Sequence, residues 1–191
     1  MTDPDSPLII RPAVTEDAEG ISGVNVETWL ATYPNDELGI TAELLRLHLE
    51  GAAGERTAGR IARIRRSIEE QEAGGSSGAN FVAVYGGAIV GYTRPFVTGE
   101  GRHRVGALYV LPAFHGRGIG HLLLERNLAW HGAGQDVYLY VAAYNEHAIR
   151  FYERHGFALT GEEGDDEVAA IGSVRIPEVQ MLRRGGTGKP R

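Results

Sequence analysis

The chain has 191 residues, 42% of them hydrophobic and 23% charged, which suits one globular domain with a substantial core. Its formal charge of −6 excludes nucleic acid as the principal partner, because phosphate binders carry basic patches. With no cysteine, neither a disulfide framework nor a thiol nucleophile is available.

The first residues, MTDPDSPLII, are acidic and broken by prolines, unlike the basic start and apolar run of a secretory signal. No apolar run is long enough to span a bilayer, so the expectation is a cytoplasmic enzyme with no membrane partner. Residues 8–11 then read as a short strand after a disordered lead. Thr15 is placed to cap a helix, with Glu16 and Asp17 in the first turn, where the dipole favours acids. That helix carries Ile21, Val24, Trp29 and Leu30 at its apolar positions. It ends near Pro34, which biases Tyr33 out of the helical region. Thr41 predicts a second cap, ahead of Leu44, Leu45 and Leu47. After GAAGE, helix resumes over residues 55–73 with Ile61, Ile64 and Ile68 on one face. Arg60, Arg63, Arg65, Arg66 and the later glutamates pair at helical spacing, so this charge reads as a solvated face. GGSSGAN is a loop. Residues 81–85 and 88–96 form a hairpin across Gly86-Gly87, with Arg94-Pro95 ending the regular pairing.

The segment RVGALYVLPAFHGRGIGHLLL, residues 104–124, organises the rest. A strand over 105–110 stops at Pro112, glycines follow at 116, 118 and 120, and Ile119, Leu122, Leu123, Leu124 and Leu128 begin a helix over 118–131. The first amides of a helix lack intrahelical partners, and the dipole adds positive charge there. A glycine-rich turn lets an anion approach those amides. The order therefore predicts a phosphorylated ligand, or else a tight turn with no ligand. The dinucleotide fingerprint fails, since His121 or Leu123 stands where its last glycine belongs. A nucleotide P-loop fails as well, because His121 and Leu122 replace its lysine and hydroxyl residue. GGTGKPR, at the other end, has no chain left to form a helix and reads as a tail.

Residues 137–141 are apolar or aromatic throughout, as in a strand covered on both faces. Strand, helix and strand over this length predict a right-handed parallel crossover. Four residues later comes NEHAIRFYERHGF, where Asn145 caps a helix over 146–155 and Gly156 supplies its left-handed end. Glu146 and Arg150 form a favourably oriented i, i+4 pair. The chain finishes with a strand over 157–161, an acidic hairpin tip EEGDDE, and a strand over 178–183. That acidic run lacks the spacing of a calcium loop, and no metal site is expected. One domain over 1–184 and a mobile tail over 185–191 complete the organisation.

HGRGIG resembles the pyrophosphate-binding motif Q/R-x-x-G-x-G/A of the general N-acetyltransferase (GNAT) superfamily, with His115 in the Q/R position and Gly118 and Gly120 as the glycines. NEHAIRFYERHGF resembles that superfamily's second acetyl-CoA motif, N-x-x-A-x-x-F-Y-x-x-x-G-F, through Asn145, Ala148, Phe151, Tyr152, Gly156 and Phe157. The likeness covers residues 80–160 well and the first thirty residues loosely. It implies an α/β (α+β) fold: a mixed, largely antiparallel sheet of about 6–7 strands flanked by helices. In that fold the parallel strands ending at Val110 and Val141 splay apart, and acetyl-CoA enters the gap.

The resemblance implies cofactor contacts from Leu108, Tyr109, Val110, His115, Gly116, Arg117, Gly118, Ile119, Gly120, Asn145 and Tyr152. It makes Tyr152 the general acid for the departing thiolate and the Val110 amide the oxyanion donor. The loop after the first helix would wall the acceptor, which brings in Trp29, Tyr33 and Glu27, although Trp29 at helical spacing also fits a core. Many relatives carry a glutamate on the central strand; residues 105–109 hold none, leaving Glu27, Glu100, His103 and Tyr109 as stand-ins for the base. The implied activity is transfer of acetyl from acetyl-CoA to a primary amine, in a small amine, polyamine or peptide, within a ternary complex. A non-catalytic acyl-CoA sensor is the alternative, and a homodimer is compatible with either.

Overall fold

The computed structural model describes residues 7–51, 54–163, 170–172 and 174–186. After β1 (Leu8–Pro12) the chain forms three helices, α1 (Ala18–Thr32), α2 (Ala42–Glu50) and α3 (Glu55–Glu72). The Thr41 hydroxyl caps α2 as expected, accepting the Leu44 N–H at 3.1 Å. Strands β2 (Phe81–Tyr85) and β3 (Ala88–Val97) make the predicted hairpin, with φ of 57° and 79° at Gly86 and Gly87. Next come β4 (His103–Val110), α4 (Ile119–His131), β5 (Val137–Ala142), α5 (Glu146–Glu153) and β6 (Ala158–Glu163). A small hairpin of β7 (Ala170–Ile171) and β8 (Val174–Arg175) precedes β9 (Glu178–Arg183). The main sheet has seven strands in the order β1-β2-β3-β4-β5-β9-β6, and only β4 and β5 run parallel. This is the mixed sheet that the resemblance implies.

Helices cover both faces. Ile119, Leu123 and Leu124 of α4 and Tyr152 of α5 pack on one side; Ile21, Val24, Trp29, Leu45, Leu49 and Ile68 from α1, α2 and α3 pack on the other. Between these layers β5 is buried at five of its six positions, in keeping with its apolar composition. Leu122, counted in the apolar pattern of α4, instead faces solvent.

Several local expectations are corrected. Thr15 does not cap α1. Residues Thr15–Asp17 form a 3-10 turn, and the Asp17 carboxylate accepts the Val14 N–H at 2.9 Å while pairing with Arg11 at 2.6 Å. The amide that a Thr15 cap would hold, the Asp17 N–H, donates instead to the Val14 carbonyl at 2.9 Å. Regular pairing does end at Arg94-Pro95 as expected: β2 and β3 pair only as far as Phe81–Thr93, and against β4 Arg94 faces Ala107 while Pro95 faces Val105, so an extra residue, Gly106, bulges from β4. A proline with no N–H fits such a break in the ladder. At Gly106 a Cβ would lie 2.5 Å from Phe96 Cε1 and 3.2 Å from the Arg94 carbonyl, so only glycine fits. The arginines of α3 are not merely a solvated face. Arg60 donates to the Leu49 carbonyl and, at 2.9 Å, to Ser22, while Arg56 donates to the His48 carbonyl at 3.0 Å. The last carbonyls of α2 lack intrahelical partners and attract these cations. The β7–β8 hairpin has no counterpart in the sequence reading. Most of the acidic run, the lead through Ser6 and residues 187–191 of the tail lie outside the described residues. Gly185, the first residue of that tail, donates its N–H to Asp136 at 2.7 Å.

Two buried polar groups support the central strand. Asn127 of α4 donates to the Thr93 hydroxyl at 2.7 Å, and Thr93 donates to the Ala107 carbonyl at 2.7 Å beside the bulge. Both side chains are fully buried. Asn127→Ala is therefore expected to cost about 1–3 kcal/mol, read from urea unfolding. At the start of β4, His103 Nδ1 lies 3.1 Å from Nδ1 of buried His131. Burial, and then the His103 charge, push His131 down to about 4. The unfolded chain would bind a proton near 6.5 that the folded chain refuses until about 4. Stability is thus full above 6.5 and declines as pH falls from there toward 4. His131→Leu should flatten that decline in thermal melts taken across the same range.

Candidate active site

The bulge at Gly106 determines where the site forms. β4 and β5 pair only at His103–Val137 and Arg104–Tyr138, below the bulge; past it, the bent strand leaves its parallel neighbour. A cleft of about 650 Å³ opens between them, lined by Val105 to Val110 on one wall and by Tyr140 and Val141 on the other. The Leu111 N–H donates to Val90 across the β3 side. Strand alternation then turns the N–H and C=O groups of Leu108 and Val110 toward the cleft. His115 Nε2 already reaches the Val110 carbonyl, at 2.8 Å.

One end of the cleft is the glycine turn. Gly116 and Gly118 have φ of 75° and 77°, a left-handed backbone that L side chains rarely adopt, and Gly118 is the N-cap of α4. The first turn of α4 carries no acidic residue, so nothing there offsets the positive end of its dipole. Along this wall Asn145 caps α5 through its Oδ1, which accepts the Ala148 N–H at 3.1 Å. About two helical turns on, Tyr152 lines the cleft, its ring held edge-on by Phe151 and Phe157 at 5.3 and 5.6 Å. Burial drives the Tyr152 phenol well above its ordinary range, and nearby Tyr109 adds to the shift. The group therefore remains a proton donor at any physiological pH.

The other end is a wall of tyrosines that the sequence reading missed as a unit. Trp29 Nε1 donates to the Tyr109 hydroxyl at 3.0 Å, and the hydroxyls of Tyr33 and Tyr109 are 3.5 Å apart. Tyr144 donates to the Tyr33 carbonyl at 2.9 Å, tying the end of α1 to the loop after β5. Burial raises the Tyr33 phenol, with Tyr109, Tyr152 and Glu178 adding to it. Alternation on β4 and β5 was the available signal for this wall, since Tyr109 and Tyr140 sit on strands already recognised.

Of the proposed cofactor contacts, Leu108, Tyr109, Val110, His115, Gly116, Gly118, Ile119, Gly120, Asn145 and Tyr152 all line the cleft. Arg117 does not; its guanidinium lies over Phe114, 5.1 Å from the ring centroid. On the acceptor side Tyr33 lines the cleft, but Trp29 is a buried core residue behind Tyr109, and Glu27 is exposed on α1 away from the lining. Glu100 is exposed in the turn before β4, and His103 is engaged with His131. Among the base candidates only Tyr109 faces the cleft, whose described lining contains no carboxylate.

These residues fit acetyl-CoA. A Cβ at Gly116 or Gly118 would meet only open space, so a diphosphate has room against the turn, and the cleft continues from there to Tyr152. No described helix is long and apolar enough to cross a membrane. A sequence profile of the acetyltransferase (GNAT) family matches residues 43–157. No curated protein matches the chain significantly. Among solved structures, the PaiA N-acetyltransferase from Thermoplasma acidophilum in complex with coenzyme A is similar at TM-score 0.65 and 20% identity, over 93% of this chain and 99% of that one. YncA from Salmonella typhimurium, solved with its cofactor acetyl-CoA, is similar at TM-score 0.64 and 21% identity, over 97% and 99%. A GNAT-family acetyltransferase from Streptococcus pneumoniae gives TM-score 0.63 and 21% identity, over 93% and 99%. At such identities the structural likeness is one of fold. With more than half of its length matched by the family profile, the chain belongs to the acetyltransferase (GNAT) family, acyltransferases that draw on acetyl-CoA.

Proposed function

We propose that the protein acetylates a primary amine by direct attack in a ternary complex, with Tyr152 as general acid. The observation that carries this reading is the single cleft joining the glycine turn to Tyr152 and the tyrosine wall. Bound acetyl-CoA supplies an activated acetyl thioester. The amides from Gly116 to Gly120 hold its diphosphate, and the free edge of Leu108 and Val110 pairs with the pantetheine amides like an added strand. The His115 ring must then yield the Val110 carbonyl to the incoming arm. The Val110 N–H donates to the acetyl oxygen as negative charge builds there. Tyr152 gives its proton to the departing sulfur, and the proton shed by the attacking nitrogen restores the phenol, so that amine and thioester leave as amide and thiol.

The acceptor must reach the cleft neutral. An aliphatic amine with pKa near 10.4 is only about 0.04% neutral at pH 7, a cost of roughly 4–5 kcal/mol. Desolvation among Tyr33, Tyr109 and Tyr140 helps, because a low-dielectric wall disfavours the charged form. The test is thiol release from acetyl-CoA against spermidine, an aminoglycoside, amino acids and a lysine-bearing peptide, with products scored by the gain of one acetyl mass. Acetylated amine supports the reading. Tight coenzyme A binding with no acetylated product would replace it with the sensor reading, which the lack of a carboxylate among the described lining residues favours.

A further inference from the structure

We propose that a second cavity, between α1, α2 and α3, binds a small multivalent oxyanion such as a phosphate ester or a polycarboxylate. It shares no lining residue with the cleft described above, so the proposal stands apart from the amine-acetylation reading. The cavity measures about 680 Å³, a volume suited to a small ligand. Trp29 and Leu49, both buried, form its floor. Arg56, Arg60 and Arg63 converge on it from α3, and no carboxylate is among its described lining residues.

The three arginines recur at i, i+4 and i+7, so one face of α3 presents them together. Half-buried Arg60 is fixed by the Ser22 hydroxyl at 2.9 Å and by the Leu49 carbonyl. Arg56 is fixed by the His48 carbonyl at 3.0 Å. Arg63 makes no hydrogen bond among the described residues, and none of the three is in an ion pair there. Glu50 acts on the Arg60 charge from outside the lining, while Arg63 opposes it. Cations gathered without a paired anion repel one another, and a divalent or trivalent oxyanion relieves that repulsion. Guanidinium forks also match the geometry of carboxylate and phosphate oxygens.

The rest of the lining agrees. His48 stacks on Trp29 with ring centroids 6.1 Å apart. Burial, then the charges of Arg56 and Arg60, lower its imidazole below the ordinary range, so at pH 7 it is neutral and keeps one N–H to donate. Trp29 Nε1 and the Asn25 amide are already engaged with the hydroxyls of Tyr109 and Tyr92, at 3.0 and 3.3 Å. The arginines and His48 are therefore the groups left for a ligand. Gly59 gives an independent sign of one. It lies inside α3, where only proline is less favourable, yet a Cβ there would meet nothing within 4 Å. Neither packing nor backbone requires this glycine; its bareness keeps the cavity wall open between Arg56 and Arg63. Sequence conceals the cluster, because the same arginines also suit pairing with glutamates later in α3.

The test is isothermal calorimetry with inorganic phosphate and with citrate, at constant ionic strength, with and without saturating coenzyme A. A 1:1 complex with at least one probe is expected, and the tighter probe tells a phosphorylated ligand from a polycarboxylate. Replacing Arg56→Gln and Arg63→Gln together should weaken it about 10- to 100-fold. The charge-matched pair Arg65→Gln and Arg66→Gln lies on the same helix outside the lining, and should change it by less than about threefold. Gly59→Leu should weaken it about tenfold or more while melting no earlier than the wild type, since leucine favours a helix. That variant carries the test should the arginine pair melt early. No heat from either probe overturns the proposal. So do equal losses in the two arginine pairs, which mark a diffuse field, and unchanged binding in Gly59→Leu. Heat that coenzyme A abolishes and the Arg56 and Arg63 changes leave intact would place the anion at the glycine turn instead, and overturns it too.

Discussion

Replacing Tyr152 with phenylalanine is expected to lower kcat about 10²- to 10⁴-fold, the span of a lost general acid. The fold should tolerate the change, because the ring keeps its edge contacts with Phe151 and Phe157 at 5.3 and 5.6 Å and only a hydroxyl is removed. Melting temperature should move little, and the KM for acetyl-CoA should change by less than about threefold, since the diphosphate turn is untouched. Initial rates of thiol release, paired with calorimetric binding of coenzyme A, check both halves. A variant with unchanged kcat would reduce Tyr152 to a core residue whose phenol happens to face the cleft.

Gly118→Ala is expected to weaken coenzyme A binding about 5- to 30-fold. A left-handed residue with a Cβ costs about 1–2 kcal/mol, and φ at this position is 77°. The backbone relieves that strain only by rotating, which turns the first amides of α4 away from the anion. The unfolding midpoint should also drop, by about 2–8 °C if the turn holds its shape. Isothermal calorimetry and a melting scan separate these effects. A normal affinity in a destabilised protein would mean that the diphosphate lies elsewhere.

The half of the cleft proposed to hold the cofactor was legible because it is local. The glycine turn and the NEHAIRFYERHGF helix each compress their chemistry into a short run whose register is fixed by backbone geometry. Ten of the eleven proposed cofactor contacts line the cleft, and Arg117 misses it because its guanidinium lies over Phe114. The acceptor half is not local. Tyr33, Tyr109, Tyr140 and Tyr144 come from the end of α1, two strands and a loop, and only the folded chain brings them together. The bend in β4 leaves no room for a Cβ at Gly106 beside Phe96, a close approach that no pattern along one strand reveals. Glu27, which the resemblance puts at the acceptor wall, is exposed on α1 and does not line the cleft. Thr15 failed for a smaller reason: the Asp17 N–H that its hydroxyl would hold goes to the Val14 carbonyl instead.

The two-residue junction between β4 and β5 has a mechanical consequence. Strands β1 to β4 form one leaf and β5, β9 and β6 another, joined by a short seam at the base and by packing against α4. A molecule stretched along the open edge becomes the missing stitching between the leaves. Loading the proposed donor there is expected to tighten the scaffold in the same step, since the leaves otherwise share only two residue pairs.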